Sequence, residues 1–398
     1  MSEDSLTTIL DTSQPAYSLA NELVRLCPEL STREHTGAVA LLMAVIAAEH
    51  EGHTYLSLNS DDGSGSLSHT VPLILTSDAP REAMSEITRQ AADLASSQKL
   101  RPLIGSAGEH RPLILEGDTL ATHRSSLQEA QLNHLLRQRL YLPDFDVCLP
   151  ASSEMFPPSQ PGLTTEQAAA VTRALQRRLT VISGGPGTGK TTIVAALIAS
   201  LCRLGVSPRD IGLAAPTGKA ANRLEESISR SLTHLETVTT EAERTALSGV
   251  TLHRLLGVGS RQGRPAFHAG NPLPLRAVIV DEASMIDLSL MHQLLEALLP
   301  DCRLVLLGDA DQLPAVENGA VFRDLVSPQD SQMTTPNWCC RLTQSFRMRE
   351  EDPDGSAILR LATRIRLSDA GSGTESSSPD RLLPVRPHCS ALNGRGPE

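Results

Sequence analysis

The sequence predicts an α/β chain: a doubly wound parallel sheet preceded by a smaller α-rich N-terminal domain with a few strands. Three observations carry this prediction. Four short, mainly apolar runs at residues 179–182, 211–215, 277–280 and 304–307 have the length of buried strands. Each runs into a glycine-containing or acidic loop, and the first is followed by apolar residues at helical spacing over 193–204, the alternation that builds parallel sheets. The first 160 residues show helical spacing with only scattered strand signals.

Taken in order, Leu19, Leu23 and Leu26 recur at helical spacing and Pro28 closes that segment. Residues 38–48 are apolar nearly all round, too short for a membrane span and suited to a core helix. A strand is expected over 54–58, a flexible loop at 61–66 (DDGSGS), a helix over 80–94 and a strand over 111–115. His50, His53, His110 and His123 stand isolated and read as surface or satisfied histidines. FPPSQP at 156–161 is a Pro-rich joint. Beyond it, Thr164 and Gln167 have the spacing of a capping box for a helix running to about 178. Gln167, just upstream of a glycine-rich loop, could equally read adenine through its amide.

Composition narrows the function class. With 40% hydrophobic and 20% charged residues, the 398-residue chain is that of a globular protein with cores built from aliphatics, since aromatics make up only 2%. There is no apolar run of membrane length and no signal-like N-terminus, and the seven cysteines lack metal spacing, so the chain reads as cytoplasmic with free thiols. Of the net charge of −11, residues 1–160 hold all the excess, with 10 basic against 21 acidic residues; residues 161–350 hold 19 against 18. An acidic region repels a phosphate backbone and suits a protein partner, whereas the balanced middle can carry a basic stripe.

Residues 181–192 read VISGGPGTGKTT. Gly184, Gly189, Lys190 and Thr191 satisfy G-x-x-x-x-G-K-[ST], the spacing of a loop that cradles phosphates. Glycine allows positive φ and a close approach of backbone N–H groups to anionic oxygens, and Gly185, Pro186, Gly187 and Thr188 complete the loop before Thr192 enters the helix. Lys190 is placed to reach the β- and γ-phosphates of ATP, and the Thr191 hydroxyl to ligate Mg²⁺. Asp281 and Glu282 end the apolar run 277–280, where adjacent carboxylates have no packing reason to be. In a phosphate-loop protein the first holds the Mg²⁺ shell and the second deprotonates the attacking water. Gln312, after the run 304–307, is positioned to sense the γ-phosphate. Thr217, Lys219 and Arg223 follow the run 211–215 and could grip a nucleic-acid phosphate, or simply start a polar helix; Thr251 and His253 could touch the same strand.

The series GGPGTGKTT, APTGKAANRL, TLHRLLG, VIVDEASMID, LLGDADQLPAVENGAVFRDL and LTQSFR resembles superfamily 1B DNA helicases, and among them the RecD subunits of bacterial RecBCD enzymes, the exodeoxyribonuclease V alpha subunits. The resemblance covers residues 164–347, six motifs in the family's order. It implies a RecA-like fold and an ATP-hydrolysing DNA helicase moving 5′ to 3′. It implies adenine contact by Gln167, phosphate and Mg²⁺ binding by Lys190 and Thr191, and metal-holding and catalytic roles for Asp281 and Glu282. It makes Gln312 the γ-phosphate coupler and Arg347 an arginine reaching the γ-phosphate, and it sets Thr217, Lys219, Thr251 and His253 on the single-stranded DNA path. Its implied partners are DNA ends, a RecB-like helicase-nuclease and a RecC-like scaffold.

These readings divide the chain into an acidic partner-binding domain at 1–155, a linker at 156–163, a RecA-like ATPase domain at 164–367 and a disordered Ser/Gly/Pro-rich tail at 368–398. In the family a second RecA-like domain follows the QSFR motif; here the sequence reads as a truncated or frame-shifted end. Two functions are therefore expected: an ATP-dependent helicase subunit in double-strand break repair and recombination, or a non-translocating ATP-binding subunit that only docks onto its partners.

Overall fold

The computed structural model describes residues 9–59, 65–77, 79–147, 163–232, 247–259, 265–312, 321–326, 337–344 and 346. The Pro-rich joint at 156–161, most of the loop at 61–66, Arg347 and the tail at 368–398 lie outside them. No described helix is long and apolar enough to cross a membrane.

The first part of the chain comprises α1 (Pro15–Val24), α2 (Thr32–His50), β1 (Leu56–Ser57), α3 (Leu67–Ile74), α4 (Arg81–Ala95), β2 (Ile104–Gly105), β3 (Leu113–Glu116), β4 (Thr119–Thr122) and α5 (His123–Tyr141). The nearly all-apolar stretch becomes α2, the centre of this core: Ala38 to Val45 are buried, and α1, α3 and α4 pack around it. Ser31 and Glu34 close a capping box at its start, and Lys99 Nζ lies 2.7 Å from Glu34 Oε1. That ammonium contact and the two Ser31 bonds hold the Glu34 carboxyl down at about 2. A small sheet in the order β1-β4-β3-β2 covers one side.

Several expectations shift. The strand over 54–58 contracts to Leu56–Ser57, and that over 111–115 begins at Leu113, because Pro112 has no N–H to offer a ladder. His110 and His123 are not isolated: their rings lie 5.6 Å apart. Helix α3 holds Pro72 within it, and α5 buries Ser125, Glu129, Asn133 and Arg139 beside Leu132 and Leu136. Proline inside α3 and polar residues on the buried side of α5 interrupt the pattern by which helices are read.

The second part comprises α6 (Thr165–Gln176), β5 (Leu179–Gly184), α7 (Lys190–Arg203), β6 (Ile211–Ala215), α8 (Gly218–Leu232), β7 (Gly249–Thr251), α9 (Leu252–Leu255), β8 (Ala277–Val280), α10 (Leu288–Ala297), β9 (Arg303–Gly308), α11 (Val321–Val326) and β10 (Cys339–Leu342). Helix α6 ends two residues before the expected position 178, and its capping box of Thr164 and Gln167 is formed. The six strands are all parallel, in the order β10-β5-β9-β8-β6-β7. Side chains alternate between two cores. Val278 and Val280 of β8 enter the one shared with α10 and α11, while Ala277 and Ile279 enter the one shared with α6 and α7. Burial on both faces explains why these strands read as continuous apolar runs. Parallel register also carries the loops after β5, β6, β8 and β9 to one edge, where such sheets place ligands.

Helix α5 joins the two parts. Its Leu132 and Leu136 belong to the α10 core. The buried Arg139 guanidinium donates to the carbonyls of Cys302 at 2.5 Å and Leu299 at 2.9 Å, at the foot of β9. Just beyond α5, the Phe145 ring lies against Arg303 at 3.8 Å and Arg178 at 4.5 Å, and Phe145 N–H donates to Gln176 O.

Candidate nucleotide site

The loop between β5 and α7 turns on left-handed glycines, Gly187 at φ 81° and Gly189 at φ 84°. A Cβ at Gly184 would sit 2.7 Å from Thr188 Oγ1 and 2.9 Å from Leu342 Cβ, and one at Gly189 would strike the Gln167 amide. Side chains are therefore excluded both by conformation and by space. Thr188 Oγ1 donates to Gly185 O at 2.9 Å and braces the turn from within. Helix α7 starts at Lys190 without a side-chain cap, so its first N–H groups are available to an anion.

Lys190 folds back over its own loop, its Nζ 2.5 Å from Gly184 O and 3.4 Å from Gly185 O. Gln167, buried, accepts from Thr164 N–H at 3.0 Å and donates to Thr188 O at 3.0 Å. These bonds use one acceptor position and one donor of the two each that a primary amide has.

Asp281 and Glu282 follow β8 directly. Asp281 Oδ1 accepts from Glu282 N–H at 2.9 Å. Burial pushes the Asp281 carboxyl above its ordinary value, and the neighbouring Glu282 adds to this against the opposing charge of Lys190. Glu282 has φ 53°, the only left-handed non-glycine residue among those described. Such a backbone costs about 1–3 kcal/mol and persists where surrounding structure enforces it, often at functional sites. After β9, the buried Asp309 accepts from Asp311 N–H at 3.1 Å and from Gln312 Nε2 at 3.3 Å, fixing the turn that presents Gln312.

These elements meet in one open cleft of about 1240 Å³. Its wall includes Gln167, the loop from Gly185 to Thr192, Asp281, Glu282 and Gln312. Thr217, Lys219 and Arg223 line the same cleft from the start of α8, together with Glu226 and Arg230 further along. Thr251 and His253 do not line it: Thr251 caps α9 by accepting from Arg254 N–H at 3.2 Å, and His253 is exposed nearby. Met285 and Phe346 complete the wall, 46% and 55% exposed. Sequence reasoning assigned them no role, although exposed large apolar side chains beside a glycine-rich loop are a usable signal once the loop is located.

The family model for an AAA domain matches residues 167–318. The chain is 50% identical over 230 residues to the RecBCD enzyme subunit RecD of Mycobacterium tuberculosis, covering 54% of this chain and 37% of that one. It is 46% identical to the RecD subunit of Mycolicibacterium smegmatis over 52% of this chain and 36% of that one, and 40% identical to that of Haemophilus influenzae over 61% and 41%. The ATP-dependent RecD2 DNA helicase of Deinococcus radiodurans is 35% identical over 56% of this chain and 27% of its own length. The chain thus spans less than half the length of these relatives. The α/β part described here is accordingly a P-loop fold, and the chain is a homologue of the RecD subunits of RecBCD enzymes.

Proposed function

We propose that the chain is an ATP-dependent 5′–3′ DNA helicase subunit of a cytoplasmic RecBCD-type assembly, acting on DNA ends beside RecB-like and RecC-like partners in double-strand break repair and recombination. One observation carries this reading: a glycine-built phosphate loop, a paired Asp-Glu strand end and the glutamine turn after β9 face a single cleft. The named activity of the homologues supports it.

The residues fit ATP and Mg²⁺. A threonine hydroxyl and a carboxylate are hard oxygen donors suited to Mg²⁺, and Asp281, whose charge is disfavoured by burial, gains most from an adjacent cation. Mg²⁺ held near Thr191 and Asp281 would neutralise phosphate charge.

Lys190 leaves its loop carbonyls for the phosphates, a local exchange of partners that needs no movement of the fold. Glu282 takes the proton of the attacking water, and Gln312 reports the state of the γ-phosphate through the turn held by Asp309. The unused donor and acceptor of Gln167 match the edge of adenine while the capping bonds persist. Thr217 and Lys219, on the cleft, and Thr251 and His253, beyond it, contact the DNA strand; Arg347 adds charge at the γ-phosphate. The test is unwinding of a duplex with a 5′ single-stranded tail, beside single-strand-stimulated ATPase. Strand separation that requires ATP and Lys190 supports the proposal. Nucleotide binding without DNA-stimulated turnover supports instead a docking subunit, and absence of nucleotide binding overturns both.

A further inference from the structure

The cleft has a side that neither the phosphate loop nor the carboxylates explain. Strand β10 runs beside β5, with Leu342 paired to Gly184, so the chain leaving β10 travels alongside the entry to the phosphate loop. Two anchors hold it there. Thr343 N–H donates to Glu166 Oε2 at 2.9 Å and the Thr343 hydroxyl to Oε1 at 2.6 Å, and then Phe346 N–H donates to Gly187 O at 2.8 Å. Gln344 N–H adds a third bond to the same carboxylate. Glu166 precedes Gln167, whose amide holds Thr188. Adjacent residues in the first turn of α6 therefore grip two chains 155 residues apart: Gln167 the phosphate loop, Glu166 the exit of β10. Burial alone would raise the Glu166 carboxyl, yet the bonds from Thr343 and Gln344 bring it below its ordinary value.

Resting on the nucleotide reading above, we propose that Glu166 is a positioning residue that, through Thr343, sets where the chain after β10 crosses the mouth of the phosphate loop and thereby tunes nucleotide affinity without touching nucleotide. A carboxylate in the first turn of a helix also stabilises the helix dipole, so the two roles must be separated. The dipole role is indifferent to Thr343. The positioning role depends on the Thr343 hydroxyl, and serine at 343 preserves it.

The experiment uses the full chain. Binding of a fluorescent ATP analogue with Mg²⁺ is titrated for wild type, E166A, T343V, T343S and E166A/T343V, and hydrogen exchange of the Thr343, Gln344 and Phe346 amides is followed without nucleotide. A charge-assisted bond at a partly exposed site corresponds to about a 3- to 10-fold weakening for E166A and T343V. T343S is expected within about twofold of wild type, the double variant no weaker than E166A, and exchange at the three amides about 10-fold faster in E166A. Additive losses, weakening in E166A but not in T343V, or faster exchange with unchanged affinity would each overturn the proposal. If wild type itself binds no nucleotide, the nucleotide reading fails, and with it the affinity role. The exchange measurement then still reports whether Glu166 holds the chain.

Discussion

The two ends of the parallel sheet both hold charged side chains and treat them in opposite ways. At the foot, Arg139, Arg178 and Arg303 reach across elements: Arg139 from α5 to the carbonyls of Leu299 and Cys302, Arg178 to Pro143 and Pro300, Arg303 to Leu175. Each bond ties together segments far apart in sequence, and the Arg139 bond to Cys302 O and the Arg303 bond to Leu175 O do so in buried surroundings. At the cleft, Lys190 bonds only carbonyls five and six residues back in its own loop, Asp281 keeps its charge at a cost, and Glu282 sits in a strained backbone. Cross-element bonds hold a fold, whereas local or costly ones leave a site able to change partners. The number of bonds matters less than what each would release.

The largest expected effect tests the cleft side. Glu282→Gln should retain nucleotide binding and lose hydrolysis by about 10²–10⁴-fold, since an amide cannot take up the water's proton. Turnover within threefold of wild type would remove Glu282 from that role. Lys190→Ala should weaken nucleotide binding by about 100-fold, the equivalent of a lost charge-assisted contact of about 3 kcal/mol, with a thermal midpoint close to wild type because its carbonyl bonds are local. A collapsed midpoint would show that the lysine belongs with the structural arginines.

Arg139→Ala should do the reverse, lowering stability by about 2–4 kcal/mol in denaturant titration as the buried Cys302 carbonyl loses the guanidinium and Leu299 O keeps only Cys302 N–H. An unaltered midpoint would erase the contrast drawn between the two ends. The smallest effect is on Asp281. Its folded-state carboxyl titrates above the ordinary 3.8, so the ionised form penalises the fold as pH rises from that value and the penalty vanishes below it. Asp281→Asn should therefore stabilise the free protein by about 0.5–2 kcal/mol at neutral pH, lose that advantage toward pH 3.8, and abolish the Mg²⁺ dependence of nucleotide binding. Thermal melts across pH check the sign.

The same contrast governs what could be read from sequence. The cleft is built from contiguous residues whose spacing is the chemistry, so its loop and its Asp-Glu pair were visible as motifs. Four of the six strands of the large sheet, β5, β6, β8 and β9, were visible because burial on both faces forces continuous apolar runs; the run at 277–280 is β8 itself. What escaped depends on residues remote in sequence. Helix α5 escaped because its buried face mixes Leu132 and Leu136 with Glu129, Asn133 and Arg139, the last matched to carbonyls about 160 residues away. Helix α3 was hidden by Pro72, and β10 by the exposed Arg341 that interrupts its apolar run. Thr251 and His253 look, in sequence, like companions of Thr217 and Lys219, yet sheet order sends them to the outer strand and its short helix.

The seam made by α5 has a consequence for recombining such proteins. A graft that exchanged residues 1–122 would cut at Thr122, where β4 gives way to the helix and the Thr122 and Ser125 hydroxyls both donate to Glu49 Oε1, at 2.7 and 2.6 Å. A graft made at the sequence-obvious joint, the Pro-rich 156–161, would carry off the helix that supplies Arg139 and the segment that supplies Phe145, and the recipient sheet would receive strangers at both places. Any homologue donating a new N-terminal region must therefore match this chain not only at the small sheet but also in the carbonyl geometry of residues 299–302. That requirement binds the inheritance of the acidic region to that of the parallel-sheet core.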